Sequence, residues 1–291
     1  MAEIVPLWLV NLLSFITVFS VMISIGTTIT PSVCYESLHA PLPLVRGLVS
    51  VLLIVPVIGI IMSFAFDLDL PEKVGVVLMV IAPGAPLALR RALSSGADSG
   101  FAPTLQIVIA ILAVPTMPLW VIIGNAILGT QGVADPVAVA EQVFLAQLLP
   151  LGLGAVVKRI APVRGPQLGA MLGRTGIVLL IGVLISIIVN VRYSILATHP
   201  WPIAAAAMTT LTALLVGYLF GGPSLEARHS TAIAGAMRNV GLALLIATMN
   251  QTPAVVDVVI ISYAITAILI VTAYIRLWTK FRPGLAADQA R

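Results

Sequence analysis

Arg238 and Asn239 stand side by side in the run AGAMRNVGLA (234–243), where every neighbour is apolar or small. A guanidinium so deep in an apolar run is costly to insert, and an ionisable residue inside a membrane span marks a functional site by default. Two chemistries suit it. Its planar donor fork matches a carboxylate, and its permanent charge can replace a bound cation. The plainer reading is a salt bridge or a carbonyl contact that locks two helices. Arg174 differs, because it lies near the end of its own run and its long side chain can reach the interface.

The run IAPGAPLAL (81–89) places Pro83, Gly84, Ala85 and Pro86 in one turn. Proline removes a backbone donor and clashes with the preceding turn, so this cluster predicts an unwound segment instead of a bend. At membrane depth the freed backbone groups need protein, water or a ligand, and broken helices that face a cavity build many midplane binding sites. The run LAVPTMPLW (112–120), with Pro115 and Pro118, fits either a break or a kink. Gly235 and Met237 flank the arginine, and the small residues from Ala232 to Ala243 permit close backbone approach. Asn11, Thr104, Gln106, Glu141, Gln142, Gln147 and Asp257 are further polar residues in apolar surroundings. Each could line a pathway or make an interhelical hydrogen bond. Glu141 is also a possible protonatable group or a distant partner for Arg238.

The elements that must position these residues follow from composition. Of 291 residues, 60% are hydrophobic and 9% charged, and a span needs about 20 mostly apolar residues. Long continuous runs predict helices, not the short alternating strands of a membrane barrel. Nine spans are expected, near 5–29, 43–66, 74–95, 102–128, 136–158, 168–191, 201–221, 229–249 and 254–279. The fold class is an all-α integral membrane protein, with residues 1–291 forming a single membrane domain. With nine spans the charges sort. Arg46, Arg90, Arg91, Lys158, Arg159, Arg164, Arg174, Arg228, Arg276, Lys280, Arg282 and Arg291 fall on one side, and only Lys73 and Arg192 on the other. Positive charge favours the cytoplasm, which puts the N-terminus outside and the C-terminus inside. The first span is read as a retained helix, since MAEIVPLW lacks the basic start of a secretory signal.

The same residues exclude other classes. The net charge of +4 belongs to loops that set topology and touch anionic lipid, and no basic, aromatic surface points to nucleic acid. His39, His199 and His229 fall in loops or at span ends without a His-Glu-x-x-His site, and there is no Gly-x-Ser-x-Gly elbow. An enzyme, a cofactor and a metal are therefore not expected. Cys34 stands alone, so no intramolecular disulfide forms. A solute sensor would ordinarily carry a soluble output domain, and the chain has no stretch polar enough for one.

Over nearly its whole length the chain resembles the bile acid:sodium symporter family of secondary transporters. VMISIGTTITPS (21–32), VGVVLMVIAPGAP (74–86) and AGAMRNVGLA (234–243) carry the likeness. The resemblance implies an inverted repeat, here about 5–158 and about 166–279 with a tail at 280–291. It also implies two interrupted helices crossing at the membrane centre, and a core domain that moves against a panel by alternating access in a bacterial cytoplasmic membrane. Bacterial members usually have ten spans, so the resemblance implies that the first is missing from the nine expected here. The implied partner is a small organic anion, either a carboxylate or a bile-acid-like solute; oligomeric state is left open.

Two departures bear on coupling. After its first break the family carries a Ser-Asn pair that binds sodium, and the matching positions here are Ala88 and Leu89. At the second break its pattern is Glu, three residues, then Gln-Asn, and this chain has Ala234, Arg238 and Asn239. Sodium is a hard cation that requires oxygen ligands. At an effective dielectric of about 20, two unit charges about 4 Å apart repel by about 4 kcal/mol. Classical two-sodium coupling is therefore not expected. Sodium coupling through other ligands, and uncoupled facilitation, are the alternatives.

Overall fold

The structure is a computed structural model that describes residues 5–29, 41–129, 134–197 and 199–281. Cys34, His39 and the tail beyond Phe281 lie outside the described residues. Those described are helical, with no strand among them. The spans are α1 (Leu7–Gly26), α2 (Pro41–Ala65), α3a (Leu70–Ile81) with α3b (Pro86–Ser94), α4 (Phe101–Leu128), α5 (Pro136–Ile160), α6 (Arg164–Ala197), α7 (Trp201–Phe220), α8a (Leu225–Ala236) with α8b (Val240–Met249), and α9 (Ala254–Phe281). Among the described residues, eight helices are long and apolar enough to cross a membrane, and the pair α3a–α3b, bent by 56°, makes a ninth if counted as one span.

Local chemistry fixes the breaks. Helix α3a opens with a capping box in which the Asp69 N–H donates to Glu72 Oε2 at 3.0 Å, satisfying a donor that the first turn leaves orphaned. It stops at Ile81 because Pro83 has no N–H and Pro86 drives Ala85 into an extended conformation (ψ 122°). Gly84 makes the connecting turn at φ +80°, a region open to glycine at no steric cost. Pro86 then starts α3b at a position where a missing N–H costs nothing. In α8 the chain leaves the helix at Met237 (ψ 116°), and Asn239 restarts it by accepting from the Leu242 N–H at 3.2 Å.

Pro115 and Pro118 lie inside the continuous 28-residue α4, so the second proline pair does not break its helix. Two other prolines act in a way that the sequence reading did not anticipate. Just before Pro56 and Pro150, α2 and α5 widen into π turns at Ser50–Ile54 and Phe144–Leu148. Each of those turns is one N–H short, because the proline that follows has none.

The spans form two groups. Helices α1, α5 and α6 pack on one another; α2, α3, α4, α7, α8 and α9 gather around the two breaks. Glycines allow the first group its closest approach: a Cβ at Gly26 would meet Gly154 Cα at 2.8 Å, and one at Gly154 would meet Gly26 Cα at the same distance. The broken pair and the 28-residue helix that follows it occur twice, as α3–α4 and as α8–α9.

Candidate functional site

The two breaks touch. The backbone N–H of Asn239 donates to the carbonyl of Ala82 at 2.9 Å, so the acceptor exposed where α3a ends is taken by the donor exposed where α8a ends. Both breaks are buried: Ala82, Pro83, Gly84 and Ala85 on one side, Met237, Arg238 and Asn239 on the other.

Arg238 is 4% exposed. Its Nη2 donates to the carbonyl of Val51 at 3.0 Å, in the π turn of α2. That acceptor exists because of Pro56. Within the π turn the Val55 N–H bonds back to Ser50, so in the same five-residue register the next donor would be residue 56, which has none. Trp120 serves the neighbouring carbonyl, donating Nε1–H to Leu52 at 2.8 Å. Arg238 Nε and Nη1 and Asn239 Nδ2 are buried without a protein acceptor. No carboxylate of a described residue pairs with Arg238. Glu141, a possible distant partner from sequence, is exposed on α5, and no such ion pair forms among the described residues. The buried Tyr263 of α9 is an ionisable neighbour of Arg238.

Between the two helix groups lies a cavity of about 520 Å³, walled by α1 and α6 on one side and by α3b, the α8 break and α9 on the other. Ala85, Pro86, Leu89, Met237, Arg238 and Asn239 line it, whereas Pro83, Gly84, Ala88, Ala234 and Gly235 do not. Gly235 instead lies under the π turn, with Val51 and Val55 as its neighbours. Ala88 and Leu89 are apolar and buried and offer no side-chain oxygen to a cation.

The other polar residues separate by role. Thr104 bonds back to the Gly100 carbonyl within its own helix at 2.8 Å, and Asn11 on α1 lies away from the cavity lining. Gln106 and Gln147 both stand beside Gly84, each with Nε2 at 3.6 Å from where its Cβ would stand, and Gln147 donates to the Ala110 carbonyl at 3.2 Å. Gln106 Nε2 and Gln147 Oε1 are buried there without a hydrogen-bond partner. His229 is fully buried in α8a, bridging Ser95 Oγ at 2.7 Å and Tyr274 at 3.1 Å while stacked on Trp278. Asp69, Glu72 and His199 bring possible metal-ligand atoms within 4.8 Å of one another, but the two acids already cap α3a. The sequence reading missed Arg90, which stands exposed in the cavity wall; a second arginine beside it, Arg91, was the only hint.

Two groups of membrane-spanning helices, with buried helix breaks meeting beside a cavity between the groups, define a multi-pass membrane transporter. Residues 15–199 match the model of the Sodium Bile acid symporter family, and the chain belongs to that family. Its members are transporters, so the protein is a transporter and not an enzyme. No curated protein matches the chain. The match takes in the first break and ends before α8, so the segment that carries Arg238 lies beyond it.

Proposed function

We propose that the protein carries a small organic anion across a bacterial cytoplasmic membrane by alternating access, with Arg238 in place of a sodium ion. The observation that carries this reading is the Arg238 Nη2 bond to the Val51 carbonyl at 3.0 Å. A freed carbonyl is the kind of ligand a sodium ion would use, and here it holds a guanidinium that cannot leave. The charge therefore stays with the crossing throughout the cycle.

The electrostatics favour an anion in the cavity. At an effective dielectric of about 20, unit charges about 8 Å apart attract by about 2 kcal/mol. No acidic residue of α8 offsets the charge at the break, since Ala234 occupies the position that is acidic in the family pattern. Arg238 Nε and Nη1 are closed off from solvent and Nη2 is taken by the Val51 carbonyl, so this attraction acts through the field and not through a direct grip. The two helix groups provide the parts that move against each other, and the sorting of basic residues supports an outside N-terminus.

Uptake into proteoliposomes, with sodium, proton and voltage gradients imposed one at a time, tests the proposal. Expected is uptake of carboxylates such as cholate that is indifferent to sodium and lost in Arg238→Gln. Uphill uptake driven by sodium in the native protein, or undiminished uptake in Arg238→Gln, overturns it.

A further inference from the structure

The cavity has two unlike ends. Where α1 and α3b end and α6 begins, the walls carry Arg90 and Ser24; toward the middle of α6 they carry Leu180, Leu184 and Ile188. Adjacent arginines on α3b have opposite fates. Arg91 is tied down, with Nη1 donating to Thr272 Oγ1 at 2.7 Å and to the Ile268 carbonyl at 3.3 Å. Arg90 forms no hydrogen bond or ion pair within the described chain and is exposed.

A free arginine at the end of a span has an ordinary topological role, but its surroundings here are those of a site. Arg90 reaches from one helix group across to the other. A Cβ built at Gly173 of α6 would lie 3.1 Å from Arg90 Nη2 and 2.5 Å from Ser24 Oγ of α1. The guanidinium and the hydroxyl thus converge on a single glycine, and a side chain there would fill the space between them. The Ser24 hydroxyl likewise makes no hydrogen bond within the described chain, although the residue is only 9% exposed. A guanidinium fork and a hydroxyl donor beside an apolar trough form a receptor for an anionic head on an apolar body.

We propose that Arg90, assisted by Ser24, holds the head group of an amphipathic monoanion whose apolar body lies along α6 toward Leu184 and Ile188. The assignment rests on the organic-anion reading above and refines it: Arg238 attracts the charge from inside the core, and Arg90 grips it at the basic end. Because the grip spans the gap between the two helix groups, bound anion also ties them together in this arrangement.

The test is equilibrium binding to the purified protein in nanodiscs of neutral lipid, using cholate, dodecanoate and hexanoate, each paired with its uncharged amide. A hydrogen bond to a charged group is worth about 10- to 100-fold in affinity. Arg90→Gln is expected to weaken the best-bound carboxylate by that factor while leaving its amide within about twofold, by the same reasoning. Arg90→Lys should recover part of the loss, since it keeps the charge but not the fork. The unfolding midpoint should not move, because Arg90 has no protein partner to lose. Equal losses for carboxylate and amide, or no loss, overturn the assignment while leaving the organic-anion reading intact. If the native protein binds none of the carboxylates, both fall together.

Discussion

Asn239 and Ala82, from the two halves of the chain, share a backbone hydrogen bond of 2.9 Å at the point where two helices are interrupted. Each break supplies what the other lacks. An orphaned backbone group in hydrocarbon costs several kcal/mol, so neither interruption is stable at membrane depth without a partner, and this bond joins them into one unit. Asn239 completes the arrangement by capping α8b with its side chain, which leaves its own N–H free to reach across.

That unit depends on the turn at Gly84. A Cβ there would have its closest contacts at 3.4 to 3.6 Å, so space is available, but φ is +80°. The cost of Gly84→Ala is therefore mostly backbone, about 1–2 kcal/mol. Thermal unfolding in detergent should show a lowered midpoint, and uptake should fall with it; an unchanged midpoint would mean the turn relaxes without strain.

Pro56 and Arg238 should be energetically coupled. Pro56→Ala returns an N–H to the π turn, where it competes for the carbonyl that Arg238 now occupies. Removing the guanidinium with Arg238→Gln should then be less harmful. A double-mutant cycle on unfolding free energy is expected to give a coupling of about 1 kcal/mol. A value indistinguishable from zero would show that the missing proline N–H is not what makes Val51 available.

These two cases show what was legible in the sequence. The first break was, because Pro83, Gly84 and Pro86 encode it within one turn and no tertiary contact is needed to stop the helix. The span count was legible too, since long apolar runs and the sorting of Lys and Arg constrain it jointly. The acceptor of Arg238 was not. A backbone carbonyl has no side-chain signature, and the π turn that frees it depends on a proline buried in an apolar run, a signal shared with prolines that leave their helix continuous, such as Pro115 and Pro118. The Glu141–Arg238 pairing weighed from sequence does not form among the described residues, because Glu141 sits on an exposed face of α5, and spacing along the chain does not show which face of a span a neighbour covers. Arg90 was counted only as one of many topological charges, because its freedom from protein partners is visible only once Arg91 is seen bonded to α9.

The packing of the first helix group gives a controlled comparison. Gly154 faces Gly26, and a Cβ there would come within 2.8 Å of its Cα; two residues earlier, Gly152 has nothing within 4 Å. Gly154→Ala should cost about 1–3 kcal/mol by overpacking. Gly152→Ala should be neutral or stabilising by up to about 1 kcal/mol through helix propensity. Unfolding midpoints of the two variants, measured side by side, separate steric fit from propensity; equal midpoints would contradict the close approach.

The proposed replacement of sodium by Arg238 predicts that sodium dependence can be restored. Ala234 lies in the same packed cluster as Val51 and Leu105, near the carbonyl that Arg238 uses, so a carboxylate at 234 would enter that neighbourhood. In Ala234→Glu alone, the new acid should pair with Arg238 and cancel its field, giving weak uptake with no response to sodium. In Arg238→Gln alone the charge is gone and nothing replaces it, with the same outcome. Together the two substitutions offer a carboxylate, an amide oxygen and the Val51 carbonyl, an all-oxygen set suited to a hard cation. Uptake by the double variant should therefore return, and only when sodium is present. Uptake that stays absent in the double variant despite normal folding would show that the crossing lacks further ligands it needs, and sodium-dependent uptake in either single variant would show that Arg238 does not occupy the ion's place.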